Sequence, residues 1–425
     1  MEFSVPYGKK DIVFFVPDRN AIPLIHDKSL INQNISEEDI IRRALENPSG
    51  SGKLSDIAYS KENACILVSD ITRPCPSYRF LPQIVDQLKN AKVRKINIVF
   101  GLGIHRCHTE DEKLKLAGEY TAQYCSLTDS DGKRCRLIGT TSFGTPVEVF
   151  EKAAESDFLI ATGNIEYHYF AGYSAGAKAL MPGVCSRKTV SANHSMMLEE
   201  EAAAGIFHNN PVRQDIEEAG KIAGIDFLFN VIIDDSKKIT GAVAGKNNQA
   251  FLEGVKLYDS IYEIKAGRQA DIVITSPGGY PKDINLYQAQ KALENVRQII
   301  KKGGTIVLVA QCPEGFGEAV FEEWMADVRN YDKLHSRIKK EFVLGGHKAV
   351  AISGLLNNVK IYLYRGSSGC IGPEQSLTGE RGKLKKTYDF GFEPLDNIQS
   401  FIDSEIKKNK DLKIAVVPNG RFIRL

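Results

Sequence analysis

The sequence predicts an α/β protein of two α/β domains with mainly parallel sheets and an active-site cleft between them. Three observations predict it. Short apolar runs alternate with amphipathic stretches, as in sheets buried on both faces by helices. The pattern breaks off and restarts near residue 264. Polar clusters follow the apolar runs, on the loops where open α/β sheets bind ligands.

In the first domain the runs DIVFFV (11–16), ACILVS (64–69), INIVF (96–100) and DFLIAT (157–162) read as strands. SEEDIIRRALEN (36–47), YRFLPQIVDQLKNA (78–91) and TEDEKLKLAG (109–118) read as helices. The first and third of these open on a Ser or Thr cap followed by acidic residues, which suit the positive end of a helix. A helix-like stretch ending near 264 closes this domain, expected to span 1–263. The second domain, expected over 264–398, reads as ADIVITS (270–276), the amphipathic stretch NLYQAQKALENVRQIIKKGG (285–304), TIVLVAQ (305–311), a helix near EAVFEEWMADV and VKIYLYR (359–365). A last helix (396–408) and the strand KIAVVP leave open which domain receives 399–425, with packing back on the first as one option.

At 425 residues the chain is long enough for two self-sufficient cores. A formal charge of +2 gives no field for nucleic acid or an anionic membrane as main partner. The eight cysteines (65, 75, 107, 125, 135, 185, 312, 370) never form C-x-x-C, which excludes common zinc knuckles and thioredoxin-type redox sites. Free thiols without an apolar leader lead us to expect a cytoplasmic protein.

Two familiar phosphate motifs fail. GYSAGAK separates Gly176 from Lys178 by Ala177 and lacks the following Ser or Thr of a P-loop. GLGIHR puts Arg106 where a dinucleotide fold needs its third glycine. What remains is a set of polar side chains on loops. Asp70 and Arg73 in SDITRP read equally as a surface ion pair or as groups aimed at a ligand. His105 taken alone is a satisfied loop histidine, and His168, among Tyr167, Tyr169 and Phe170, a half-buried core residue. Lys178 lies among Ala177, Ala179, Leu180 and Met181, surroundings that lower an amine's pKa and free it as a nucleophile. His194 is placed for a helix contact, and Tyr287, Gln288 and Lys291 for one helical face that could hold a carboxylate.

Taken together, SDITRP, GxHRxxTxxE, GNIEYHYF, HYFAGYSAGAK…MPG…NHS, YPKDINLYQAQK and AQCPEGFGEAVFEEW resemble the nickel-pincer lactate racemase family, in order and at matching intervals over nearly the whole chain. The resemblance implies a cytoplasmic racemase or epimerase of a 2-hydroxy acid. Its cofactor would be a nickel-pincer nucleotide, a pyridinium bis-thio mononucleotide attached covalently through Lys178. His194 matches the protein ligand of Ni(II), and His105 and His168 the paired acid/base residues. Arg73, Gln288 and Lys291 match substrate-positioning residues, with Tyr287 beside them; Asp70 and Thr72 fall in the same loop, on the cofactor side. The enzymes that synthesise the cofactor would be transient partners.

This chemistry suits the residue types. Asking an imidazole of pKa about 6.5 to deprotonate a carbon acid costs about 1.4 kcal/mol per unit of mismatch. Moving the α-hydrogen as hydride, through a 2-keto acid, avoids the carbanion and leaves histidines only the hydroxyl proton. The sequence departs from the family at Ile104, Tyr167 and Ala175, and the first two are expected to reshape the pocket, so the substrate is lactate or a larger relative. Two other readings stand beside this one: a metal hydrolase built on His105, His168 and His194, and a non-catalytic binder of small acids.

Overall fold

A computed structural model describes residues 1–26, 35–103, 105–234, 236–343, 345–366, 391–420 and 423. Ile104 and Cys370 lie outside the described residues. The chain forms two compact units, Lys28–Tyr262 and the remainder, Met1–Asp27 with Glu263–Leu425.

The first unit is built on a six-stranded sheet in the spatial order Ile239–Gly245, Phe227–Ile233, Phe158–Asn164, Asn63–Ser69, Lys95–Gly101, Ser126–Asp129. All neighbours are parallel except the first pair. Alternation along each strand divides the core between the two faces of the sheet. Cys65, Leu67, Val99, Leu159 and Ala161 enter one apolar cluster, while Ile66, Val68, Ile98, Phe100 and Ile160 enter the other. Helices form where their caps were legible. Ser36 Oγ accepts the Asp39 N–H ahead of Glu37–Glu46, and Thr109 with Glu112 closes a capping box on Glu110–Ala117.

The second unit carries a five-stranded, all-parallel sheet in the order Glu393–Leu395, Lys360–Tyr364, Ile300–Val309, Ala270–Thr275, Ile414–Val417. One sequence expectation is corrected here. DIVFFV is no parallel strand of the first domain: Lys10–Phe15 pairs antiparallel with Glu2–Tyr7. That hairpin belongs to the second unit, where the Gly8 N–H donates to Asp283 Oδ2 at 2.6 Å. The C-terminal strand, whose place the sequence leaves open, belongs to the second unit as well. Its four residues, all buried, complete the edge beside Ala270–Thr275. The loops that carry the candidate site residues follow the carboxyl ends of strands, at 70–74, 105–109, 165–178 and 276–285.

Candidate active site

Asp70 ends the strand Asn63–Ser69 and is 3% exposed. Its carboxylate bonds to Nδ1 of His105, thirty-five residues on, and accepts the Thr72 hydroxyl at 2.7 Å. The Arg73 Nε stands 3.8 Å away with its side chain exposed. Burial pushes the Asp70 carboxyl up, but hydrogen bonds from His105 and Thr72 outweigh it and hold the group below its ordinary value. Asp70, expected on the cofactor side, is thereby joined to His105. His108, which sequence reasoning passed over, ties the two loops together. Its Nδ1 bonds to Asp129 Oδ1 at 2.6 Å, its Nε2 accepts the Ile71 N–H at 3.0 Å, and its ring packs edge-on to Phe100.

The third loop leaves the strand Phe158–Asn164 and doubles back through a two-residue ladder, Tyr167–His168 against Gly172–Tyr173. Gly172 is at φ +73°, and a Cβ there would lie 2.0 Å from the Ile206 carbonyl oxygen, so only glycine fits. Arg213, fully buried, grips the backbone that follows. Its guanidinium donates to the carbonyls of Ala171 (3.1 Å), Tyr173 and Ala175 (3.4 Å), and pairs with Glu217 at 3.1 Å. The 3-10 turn Gly176–Ala179 then presents Lys178, and the helix Arg187–Ser195, capped by Ser186, presents His194.

Phe170 gathers these groups. Its ring centroid lies 4.5 Å from that of His168 and 4.9 Å from that of His194, both edge-on, with the Lys178 Nζ 5.7 Å away. No side-chain hydrogen bond or ion pair reaches the Lys178 amine among the described residues. Burial first, then the charges of Arg213 and Arg73, lower its pKa well below that of an ordinary lysine, against a smaller opposing pull from Glu166. His168 is lowered in the same way, by burial and then by Lys178 and Arg73. Its Nδ1 accepts the Ala171 N–H at 3.3 Å. His194 Nδ1 lies 3.1 Å from Asn193 Oδ1. The Asn193 amide nitrogen donates to Val212 O and Asp215 Oδ2, so its oxygen faces the imidazole and makes Nδ1 the donor, with the lone pair on Nε2. Tyr167, expected to reshape the pocket, is tied by its hydroxyl to Asp259 at 2.8 Å, the carboxylate that Tyr173 also reaches.

Tyr287, Gln288 and Lys291 lie in the other unit. They fall on the helical segments Leu286–Ala289 and Lys291–Val296, joined through Gln290, which keeps helical angles of φ −58° and ψ −21°. Lys291 still meets Gln288, Nζ to Oε1, at 2.9 Å. Lys348, absent from the sequence reading, supports the first of the three. Its ammonium donates to the Tyr287 carbonyl at 2.7 Å and sits 3.5 Å from that ring's centroid. Burial, then Lys291, push its pKa down to about 7, partly offset by Glu318. Nothing in the string GGHKAV marks this lysine as buried.

Among the described residues, no group of three or more His, Cys, Asp or Glu side chains is arranged to hold a metal ion. A hydrolase centre formed by His105, His168 and His194 therefore has no geometry in these residues, whereas His194 alone remains a single imidazole donor.

Residues 7–205 match the lactate racemase N-terminal domain, and residues 265–343 the lactate racemase C-terminal domain. The chain is 34% identical over 428 residues to a lactate racemase of Thermoanaerobacterium thermosaccharolyticum, covering 98% of this chain and 97% of that protein. It is 34% identical over 332 residues to a lactate racemase of Lactiplantibacillus plantarum, covering 76% and 78% of the two. The solved structure of the Thermoanaerobacterium lactate racemase apoprotein is similar throughout, with a TM-score of 0.86 at 33% identity over 100% of this chain and 99% of that one. A Thermotoga maritima protein shares the fold at a TM-score of 0.58 and 15% identity, covering 94% and 99%.

Proposed function

This chain belongs to the lactate racemase family and is an isomerase, and from that premise we propose that it racemises or epimerises a 2-hydroxy acid, lactate or a larger relative, through a 2-keto acid. The observation that carries the reading is the gathering of the half-buried Lys178 with two imidazoles, His168 and His194, around the single ring of Phe170.

The side chains present fit a nickel-pincer nucleotide. Lys178 offers an amine with lowered pKa and no competing side-chain bond, the state in which lysine forms covalent links. His194 offers an imidazole whose other nitrogen is already oriented by Asn193, as metal-ligating histidines require. Imidazole beside sulfur donors suits square-planar Ni(II). Thr72 is proposed on the cofactor side of the same loop. When bound, the group supplies a carbon centre that exchanges the α-hydrogen as hydride. The chain's own residues do the rest. His105 and His168 hold and return the hydroxyl proton, one for each enantiomer. Arg73, Tyr287, Gln288 and Lys291 are proposed to bind and orient the substrate, with the Arg73 and Lys291 cations on its carboxylate. The cytoplasm, where cofactor-synthesis enzymes would meet the chain, is the proposed compartment.

The test is direct. Protein produced alongside those synthesis enzymes should interconvert the enantiomers of a 2-hydroxy acid without added NAD and should carry a covalent mass adduct. Lys178→Ala should remove both. An adduct-free wild type that inverts none of a panel of small, aromatic and polyhydroxylated 2-hydroxy acids would overturn the proposal.

A further inference from the structure

The two proposed acid/base histidines are held through the same ring nitrogen, Nδ1, but by partners of opposite kind. Asp70 carries an ionised carboxylate, which can only accept, so the hydrogen it shares with His105 is the imidazole's own. In neutral His105 this leaves the lone pair on Nε2. Ala171 offers a backbone N–H, which can only donate, so the lone pair of His168 is on Nδ1 and the hydrogen of its neutral ring on Nε2. We infer that Asp70 is a positioning residue that fixes His105 as the Nδ1–H tautomer, so that neutral His105 meets a substrate hydroxyl as proton acceptor while neutral His168 presents its Nε2–H as a hydrogen-bond donor.

The inference rests on the racemase reading and deepens it. When His105 acts, the hydroxyl O–H bond breaks and an Nε2–H bond forms. The O–H electron pair stays on oxygen and becomes the second bond of the carbonyl, which requires the α-hydrogen to leave with its own pair, to the hydride acceptor that the cofactor would supply. The imidazolium so formed donates to Asp70, whose carboxylate is steadied by Thr72. The loop bearing Asp70 is itself pinned, since the Ile71 N–H is held by His108 and His108 by Asp129. Among the described residues no carboxylate holds the His168 ring, and the neutral ring takes a second proton at Nδ1 only by giving up the Ala171 N–H. The two enantiomers thus enter on side chains in unlike starting states. Because a racemisation has an equilibrium constant of one, kcat/KM is equal in the two directions, and the asymmetry has to be read elsewhere.

It is read in the purified full-length chain labelled with 15N-histidine, where two-bond nitrogen–proton couplings report which ring nitrogen carries hydrogen. His105→Gln and His168→Gln assign the signals. The expected result is hydrogen on Nδ1 for His105 and on Nε2 for His168, with Asp70→Asn abolishing the His105 preference. In cofactor-loaded enzyme, Asp70→Asn should lower kcat at least 100-fold and move KM less than threefold, and Asp70→Glu should recover at least tenfold of the loss. A wild-type His105 protonated on Nε2, or Asp70→Asn enzyme within threefold of wild-type kcat, overturns the inference. The nitrogen measurement needs no turnover, so a chain that inverts no 2-hydroxy acid would fail the functional proposal while the resonances still decide this one.

Discussion

The ring of Phe170 stands edge-on to the ring of His194, centroids 4.9 Å apart, while its other contacts reach His168 and approach Lys178. An apolar residue thereby sets the spacing of three polar ones. Phe170→Ala should cost about 3–5 kcal/mol of stability, because Phe170 is only 6% exposed and nothing adjacent fills its volume. Phe170→Leu should cost about 1–2 kcal/mol yet still lose activity at least tenfold, since a branched aliphatic group cannot keep the edge-on contacts. Denaturation curves beside kcat measurements separate the two effects, and a Leu variant of normal activity would refute the positioning role.

His105 and His168 should each be indispensable. His105 is exposed but its ring holds the buried Asp70 carboxylate, so His105→Ala should cost about 1–3 kcal/mol of stability while lowering turnover by about 100- to 10,000-fold. His168→Ala should block turnover to the same degree and lower stability by about 1–3 kcal/mol, since it strips ring contacts with Tyr169 and Phe170. Near-normal rates in either variant would end the two-histidine scheme.

Lys348 makes a pH prediction. Its folded pKa of about 7 lies below the ordinary 10.5, so between those values the unfolded chain holds a proton that the folded chain has released. Stability therefore rises with pH across that window, by on the order of a few kcal/mol, and is least favoured by this group below pH 7. Urea denaturation of wild type and Lys348→Met at pH 7 and pH 10 should show a larger rise in the first protein than in the second, where Lys178 still contributes. Parallel behaviour would show that Lys348 keeps an ordinary pKa.

Ala175 holds φ +59° and ψ −160°, a region that glycine occupies without cost and alanine does not. Ala175→Gly should stabilise the protein by about 1 kcal/mol, the reverse of the usual effect of glycine. A lowered melting temperature would contradict it.

How much of this was written in the sequence depends on whether the signal was local. The strands at 63–69, 95–101 and 158–164 were legible because burial on both faces makes continuous apolar runs. The strands 227–233 and 239–245 were not assigned: Asn230 interrupts the first and glycines begin and end the apolar part of the second. Asn230 is polar for a reason found only in three dimensions, as its Oδ1 accepts the Gly176 N–H at 3.0 Å. Lys10–Phe15 misled in the opposite sense, since Val13 and Phe15 are apolar yet 59% and 51% exposed. In the site, side-chain type and neighbours marked His168, Lys178 and His194. The bond from His105 to Asp70, and the clasp of Lys348 on Tyr287, join residues far apart in sequence and left no mark there.

Arg213 touches the segment before Lys178 through carbonyl oxygens alone, atoms that every amino acid supplies. Side chains at 171, 173 and 175 are then free of that duty, and replacements there that respect the local backbone angles leave the grip intact. The arginine itself has no such latitude, because a lysine in its place would present one nitrogen where three oxygens wait. Drift along the loop and rigidity at its anchor are two faces of one arrangement, which would hold the backbone ahead of Lys178 in place while its side chains change.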